Sequence, residues 1–444
     1  MRAADLAKAR VAIWGLGREG RAAIGFLRAY HPGLPLLLID DDPGAQPPAG
    51  LGDIECAFGP AALAAALEQV EVLVKSPGIS LYRPEIDRAR KRGVTVTSLL
   101  NLWFAEGSGP TTLCVTGTKG KSTTAALLAH ILARLGKRTA LAGNIGVPVT
   151  TIDRQRTEFA VIEVSSYQAA DFDGVCDVAV LTSLFPEHLD WHGTLAAYYR
   201  DKLNLLRRAR RTVVNRAADP AVALATCLFN DPAVLHFRGT GIFDGEREIG
   251  LVSPGHYLAR PHNLSNLCAA LTVVKMLGGD LGLALTASLD FRGLPHRQQE
   301  LGEADGVLYV DDSISTAPEA ALAALDVYAG REVTLIAGGY DRGVDYGKLV
   351  TALARGAARA VICLGPSGAR IGAGLRALAG APPVVLAPSM AAAVASAKQL
   401  TPPGGVVLLS PAAPSYGLYR DFAERGRDFA QKAGFAVPGG EQMA

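Results

Sequence analysis

A chain of 444 residues, 49% apolar and 19% charged, is too long for one core and too apolar for disorder, and its length predicts roughly two to four domains. A formal net charge of +2 excludes a global field that would advertise nucleic acid or a membrane as partner. The cysteines (Cys56, Cys114, Cys176, Cys227, Cys268, Cys363) form no CxxC pair and no stretch approaches the ~20 apolar residues of a membrane span, so small core thiols and a cytoplasmic protein are expected.

Short β-like runs alternate with Ala/Leu-rich helical runs almost throughout, which predicts an α/β chain of parallel sheets wrapped by helices. The first unit starts at Val11-Ala12-Ile13-Trp14, turns at Gly15-Leu16-Gly17-Arg18-Glu19-Gly20 and continues as a helix to about Tyr30. The next strand, 36–39, ends in Asp40. This spacing fits a Rossmann dinucleotide site, any nucleotide-diphosphate site at a helix N-terminus, or a tight turn with no ligand. A strand over 70–74 runs into Lys75-Ser76-Pro77-Gly78, which puts Ser76 on the sheet edge where open α/β sheets bind ligands. Residues 107–110, Gly-Ser-Gly-Pro, read as a linker.

The apolar run Leu113-Cys114-Val115 then leads into Thr116-Gly117-Thr118-Lys119-Gly120-Lys121-Ser122-Thr123 and a helical Ala/Leu run. Strand, glycine turn, Lys-Ser and helix form a triphosphate cradle. Backbone N–H groups and the helix N-terminus face phosphate oxygens, the lysine reaches the terminal phosphates, and the serine hydroxyl ligates Mg²⁺. The cradle is short: only Thr118 and Lys119 separate Gly117 from Gly120-Lys121.

Downstream, the strand 159–162 ends in Glu163, where an acidic Mg²⁺ partner or an ordinary strand-end charge would sit. The segment 184–192 contains Glu187, His188, Asp190 and His192, but no second Cys/His cluster supports zinc, and taken alone it reads as a solvated loop. Lys202 taken alone is a solvated helix residue, and Asn263 and Asn266 are caps of a loop entering a helix. His296, Arg297, Asp312 and Ser313 read singly as polar surface. A boundary falls near 292–295, followed by β-like runs at 307–310, 333–337, 360–364, 384–387 and 406–409.

Together and in this order, these pieces resemble the Mur ligase family, the ATP-dependent amide ligases of peptidoglycan stem-peptide synthesis. The resemblance rests on the short cradle, Asn144-Ile145-Gly146, Glu163-Val164-Ser165-Ser166-Tyr167-Gln168, Glu187-His188-Leu189-Asp190, Lys202, His262-Asn263-x-x-Asn266, His296-Arg297, Asp312-Ser313 and Ser410-Pro411-Ala412. It implies a Rossmann-like N-terminal domain (1–107) for the UDP end of the substrate, a central P-loop ATPase-like domain with a parallel sheet (108–294), and a C-terminal Rossmann-like α/β domain (295–444). It also implies that residues 117–123, Asn263, Asn266, Arg297 and Asp312 hold ATP, with Lys121, Glu163, His188 and Lys202 as the catalytic set. Ser122 and Glu163 would hold one Mg²⁺. His188 and Lys202 would hold a second, with Lys202 carbamylated by CO₂, because an ammonium cannot ligate a cation. Gly15, Gly17, Arg18, Glu19, Asp40, Ser76 and Asn144 would contact the UDP-linked substrate.

Within the family, the GLG turn and Ser-Pro-Gly loop resemble the branch that adds glutamate to UDP-N-acetylmuramoyl-L-alanine through an acyl phosphate, and Thr316, Arg342, Ser415 and Phe422 would form the glutamate pocket. Three departures stand out: Ser313-Ile314-Ser315-Thr316-Ala317 where Ser-Lys-Ala-Thr-Asn is usual, Arg342 where a lysine is usual, and Trp191 after His188-Leu189-Asp190 where an arginine is usual. The stretches 184–193, 312–318 and 410–429 resemble the branch that adds L-glutamate and leaves a separate epimerase to invert it. D-Glutamate is the alternative, and another Mur or folylpolyglutamate-type ligase a more distant one. The resemblance further implies small-molecule partners only and a monomer.

Overall fold

The computed structural model describes residues 1–47 and 54–436. The chain divides into two compact units, Met1–Phe291 and Arg292–Ala444.

The first unit opens with a parallel sheet of β1 (Val11–Trp14), β2 (Leu36–Asp40), β3 (Glu55–Phe58), β4 (Val72–Lys75) and β5 (Thr95–Thr97), in the order β3-β2-β1-β4-β5. Alternate side chains go to opposite faces. Val11, Ile13, Leu36, Leu38, Val72 and Val74 enter one core, and Ala12, Trp14, Ile39 and Leu73 enter another. Burial on both faces makes these strands read as continuous apolar runs. Helix Arg18–Tyr30 adds Ala23, Ile24 and Leu27, at helical spacing, to the first core.

A second parallel sheet follows: β6 (Thr111–Thr116), β7 (Thr139–Gly143), β8 (Phe159–Glu163), β9 (Cys176–Leu181), β10 (Ala209–Asn215) and β11 (Cys227–Phe229), in the order β11-β10-β9-β6-β8-β7. The chain leaves β6 toward β7 and β8 on one side and returns to β9 on the other, so a crevice opens at the carboxyl end of β6. Both sheets share one core, in which Leu102 and Trp103 cluster with Ile152, Phe172 and Cys114. The linker is fastened: Arg154 donates to the carbonyls of Trp103 and Ser108 at 3.1 Å and lies over the Trp103 ring. A small antiparallel sheet, β12 (Leu235–Arg238), β13 (Gly241–Asp244) and β14 (Arg247–Leu251), completes the unit.

The second unit holds β15 (Gln299–Ala304), β16 (Val307–Asp311), β17 (Val333–Gly338), β18 (Ala360–Leu364), β19 (Val384–Ala387) and β20 (Val406–Leu409), in the order β15-β16-β20-β17-β18-β19. Only β15 is antiparallel, and β16 through β20 coincide with the apolar runs anticipated there.

One expectation about the thiols fails: Cys56 is exposed and Cys227 only half-buried, whereas the other cysteines are buried. Among the described residues no helix is long and apolar enough to cross a membrane.

Candidate active site

The cradle joins β6 to helix Lys121–Arg134 at the crevice. Its two glycines are sterically required. A Cβ on Gly117 would collide with Thr182 Oγ1, and one on Gly120, where φ is 86°, would lie 2.5 Å from Asn266 Oδ1. Thr118 is pinned through its hydroxyl to Tyr198 Oη at 2.8 Å and Phe185 O at 3.1 Å. Lys121 curls back over the turn, donating to the carbonyls of Gly117 and Thr118 at 3.0 Å. Ser122 and Thr123 are buried in the first helical turn, while Lys119 is exposed and pairs with Glu187 at 2.6 Å.

Glu163 ends β8 beside the cradle and is 1% exposed. Asn144 donates to its Oε1 at 2.9 Å, while Oε2 is buried without a hydrogen-bond partner among the described residues. A buried carboxylate oxygen left unpaired is costly, and a hard cation is the ligand that would satisfy it. Lys202 overturns its reading as a solvated residue: on helix Leu195–Arg207 it is 1% exposed, and Nζ donates to Gly117 O at 2.8 Å. Burial, with Lys121 nearby, holds its pKa well below the ordinary lysine value. A lysine whose charged form is disfavoured by burial is suited to carbamylation, so these residues fit the ligands that the resemblance implies. Among the described residues no group of three or more His, Cys, Asp or Glu could hold a metal.

The segment after β9 is only partly a loop. His188, half-exposed, caps helix Leu189–His192 in a left-handed conformation, with its ring 5.1 Å from that of Tyr167 and its pKa lowered by burial. Trp191 and His192 are buried. Trp191 stacks on Tyr167 at 4.7 Å and donates its indole N–H to Gly78 O, and Ser80 Oγ donates to Trp191 O at 2.8 Å. Thus the departure at Trp191 anchors the loop that follows Ser76. Sequence reasoning placed His192 in a solvated loop and missed Asp201 and Tyr82, to which hydrogen bonds link it here; the one signal available was the position of Asp201 beside Lys202.

At the edge of the first sheet, Ser76 Oγ donates to Gly15 O at 3.1 Å, joining the two loops expected to hold the UDP end. Asp40 accepts from Leu16 N at 3.1 Å and so braces the turn. Gly17 caps helix Arg18–Tyr30. Arg18 donates to Gly146 O at 2.6 Å, and Glu19, its pKa raised by burial, accepts from Gln168 at 3.3 Å.

Asn263 and Asn266 are not caps. They lie buried inside helix Pro261–Met276, where Asn263 donates to Tyr257 O and Asn266 Oδ1 accepts from Thr124 at 3.1 Å.

In the second unit, Asp312 is buried, not polar surface. It accepts from Ser315 at 2.5 Å, Ser410 at 2.8 Å and Gln298 N at 3.1 Å, and burial pushes its pKa up to about 6. His296 pairs with Asp311 at 2.6 Å, and Arg297 keeps a buried Nε with no hydrogen-bond partner among the described residues. Arg342 donates to Thr316 O at 3.1 Å, and both line a cavity of about 300 Å³ that also presents Glu319, Asp345 and Lys348. Neither Ser415 nor Phe422 lines that cavity. Ser415 is buried in the loop after β20, and the Phe422 ring faces His296 at 6.1 Å. Arg425, also missed by sequence reasoning, is buried and ties that loop to Ser313, donating to Ser313 Oγ, Ser313 O and Ala413 O at 2.8–3.0 Å.

Residues 9–98 match the Mur ligase MurD-like N-terminal domain, 115–237 the Mur ligase middle domain and 296–413 the Mur ligase glutamate ligase domain. The chain is 44% identical to the UDP-N-acetylmuramoyl-L-alanine--L-glutamate ligase of Xanthomonas axonopodis pv. citri, over 98% of this chain and 97% of that relative. It is 42% identical to the enzyme of the same name from a Micromonospora species, over 97% and 98%. Among solved structures it shares its fold with the UDP-N-acetylmuramate-alanine ligase of Thermotoga maritima, at a TM-score of 0.59 and 20% identity over 96% of this chain and 99% of that one. Near-full-length identity of this order, on a fold with the short cradle at its switch point, places the chain in the Mur ligase family.

Proposed function

We propose that this chain is an ATP-dependent ligase that joins L-glutamate to the alanyl carboxylate of UDP-N-acetylmuramoyl-L-alanine, giving UDP-N-acetylmuramoyl-L-alanyl-L-glutamate, ADP and phosphate. The observation that carries the reading is the pair of buried groups at the cradle mouth: the unpartnered Glu163 Oε2 and Lys202 Nζ, 2.8 Å from Gly117 O. The acidic partner is common to P-loop enzymes; the lysine buried against the cradle is not, and it suits a ligase that brings an anionic triphosphate to an anionic carboxylate.

In this reading the cradle N–H groups and Lys121 hold and orient the terminal phosphates. Asn263, Asn266, Arg297 and Asp312 complete nucleotide binding. Ser122 with Glu163, and His188 with carbamylated Lys202, would hold two Mg²⁺ ions, whose charge would offset the repulsion between the two anions. Gly15, Gly17, Arg18, Glu19, Asp40, Ser76 and Asn144 position the UDP-linked substrate. The alanyl carboxylate attacks the γ-phosphorus, ADP leaves, and the glutamate amine displaces phosphate from the acyl phosphate. Thr316 and Arg342 orient the glutamate. The chain acts as a monomer on small molecules in the cytoplasm, and a separate epimerase takes its product.

The test uses UDP-N-acetylmuramoyl-L-alanine labelled with ¹⁸O in the alanyl carboxylate. Passage of one ¹⁸O into inorganic phosphate, dependent on glutamate, is expected. Phosphate free of label rules out the acyl phosphate.

A further inference from the structure

The segment from His188 to Lys202 contains a buried polar chain to which the reaction above assigns no task. His192 places Nδ1 2.7 Å from Asp201 Oδ2 and Nε2 3.0 Å from Ser166 Oγ. Exposure is 2% at His192, 5% at Asp201 and 3% at Ser166. Tyr82 donates to the same Asp201 oxygen at 2.6 Å, and Arg200 reaches the other at 3.3 Å. The order of groups is that of a hydrolytic triad, but a hydroxyl this buried meets no substrate, so the chain's role is mechanical.

The chain connects two elements that each present a proposed metal ligand. Ser166 opens the helix that follows β8, and β8 ends in Glu163. Asp201 precedes Lys202 on helix Leu195–Arg207. Three residues on, Asn204 donates to the carbonyls of Ala169 at 2.9 Å and Phe172 at 2.8 Å, so Asp201 and Asn204 form one anchored stripe of that helix. Neighbouring helical residues point about 100° apart, so anchoring this stripe sets the direction of Lys202. That direction brings Nζ to Gly117 O.

We propose that His192 and Asp201, braced by Ser166, are positioning residues that hold the Lys202 amine at the cradle in the orientation in which it takes up carbon dioxide. The inference rests on the carbamate reading of Lys202. In that step the neutral amine's lone pair attacks the carbon of CO₂ and an N–C bond forms. One C=O π pair moves to oxygen, and the nitrogen gives a proton to solvent.

The test equilibrates the full chain with Mg²⁺ and ¹³C-bicarbonate and follows the carbamate resonance by NMR, with Lys202→Ala to assign it. In Asp201→Asn and Ser166→Ala, the bicarbonate needed for half-labelling should rise about fivefold or more, the scale of one lost hydrogen bond. Excess bicarbonate should restore their turnover, with the KM for ATP within about twofold of the parent. Half-labelling unchanged in variants that melt like the parent overturns the inference, as does turnover that bicarbonate fails to restore. A parent protein without a Lys202-dependent resonance overturns the carbamate reading itself, and this inference with it.

Discussion

Lys202 donates from Nζ to the carbonyl of Gly117 across 2.8 Å, so a lysine on the helix Leu195–Arg207 touches the residue that opens the phosphate cradle. The contact is buried. Lys202→Ala is expected to lower ligation about 10³-fold or more while the circular dichroism spectrum stays unchanged, because it removes a ligand for charge that develops at the phosphates. Steady-state phosphate release checks this. High activity in the folded variant would contradict the ligand role.

Gly120→Ala places a Cβ 2.5 Å from Asn266 Oδ1 at a residue whose φ is 86°. The left-handed backbone costs roughly 1–2 kcal/mol for an L-residue, and Asn266 must also give up its position beside Thr124. Urea unfolding should show a loss of that size, and calorimetry should show ATP affinity reduced about tenfold or more.

Asp312 gives a pH dependence with a definite sign. Burial raises its folded pKa to about 6 against an ordinary 3.8, so between these values the unfolded chain has released a proton that the folded chain still holds. Stability therefore falls as pH rises through this window, and the penalty, on the order of 3 kcal/mol, is complete above about pH 6. Asp312→Asn removes the charge. It should raise the melting temperature of the second unit at pH 8 and leave it nearly unchanged at pH 4, as read by calorimetry.

Arg425 is buried and donates three hydrogen bonds, at 2.9 Å, 3.0 Å and 2.8 Å, to Ser313 Oγ, Ala413 O and Ser313 O. Burial also lowers its pKa to about 10. Arg425→Ala leaves those acceptors unpaired and is expected to destabilise the second unit by about 3–5 kcal/mol, on the scale of breaking a buried charged network. A loss below about 1 kcal/mol in denaturant unfolding would contradict that role.

Arg342 shares its cavity with Thr316 and donates to the Thr316 carbonyl at 3.1 Å. A lysine keeps the charge and loses the planar fork. Arg342→Lys should therefore raise the KM for glutamate about tenfold while the KM for ATP stays put. Equal glutamate kinetics would remove Arg342 from the pocket.

The parallel strands were legible because burial on both faces leaves uninterrupted apolar runs, as at Val178–Leu181 and Val406–Leu409. The cradle was legible because its chemistry lies in consecutive residues. The hairpins β12–β14 were not, since Arg238, Gly241, Asp244 and Arg247 break their alternation. Burial of Lys202, Asn263 and Asn266 was illegible for a different reason: local spacing gives polar residues no mark of burial, and only the packing of distant segments supplies their partners. His192 read as a solvated loop residue because its partners, Ser166 and Asp201, lie 26 and 9 residues away.

The central claim is the joining of L-glutamate, and it is tested most directly by phosphate release with ATP, Mg²⁺ and UDP-N-acetylmuramoyl-L-alanine, comparing the two enantiomers of glutamate at equal concentration. The account predicts release with L-glutamate and little above background with D-glutamate. Preference for the D enantiomer would contradict it.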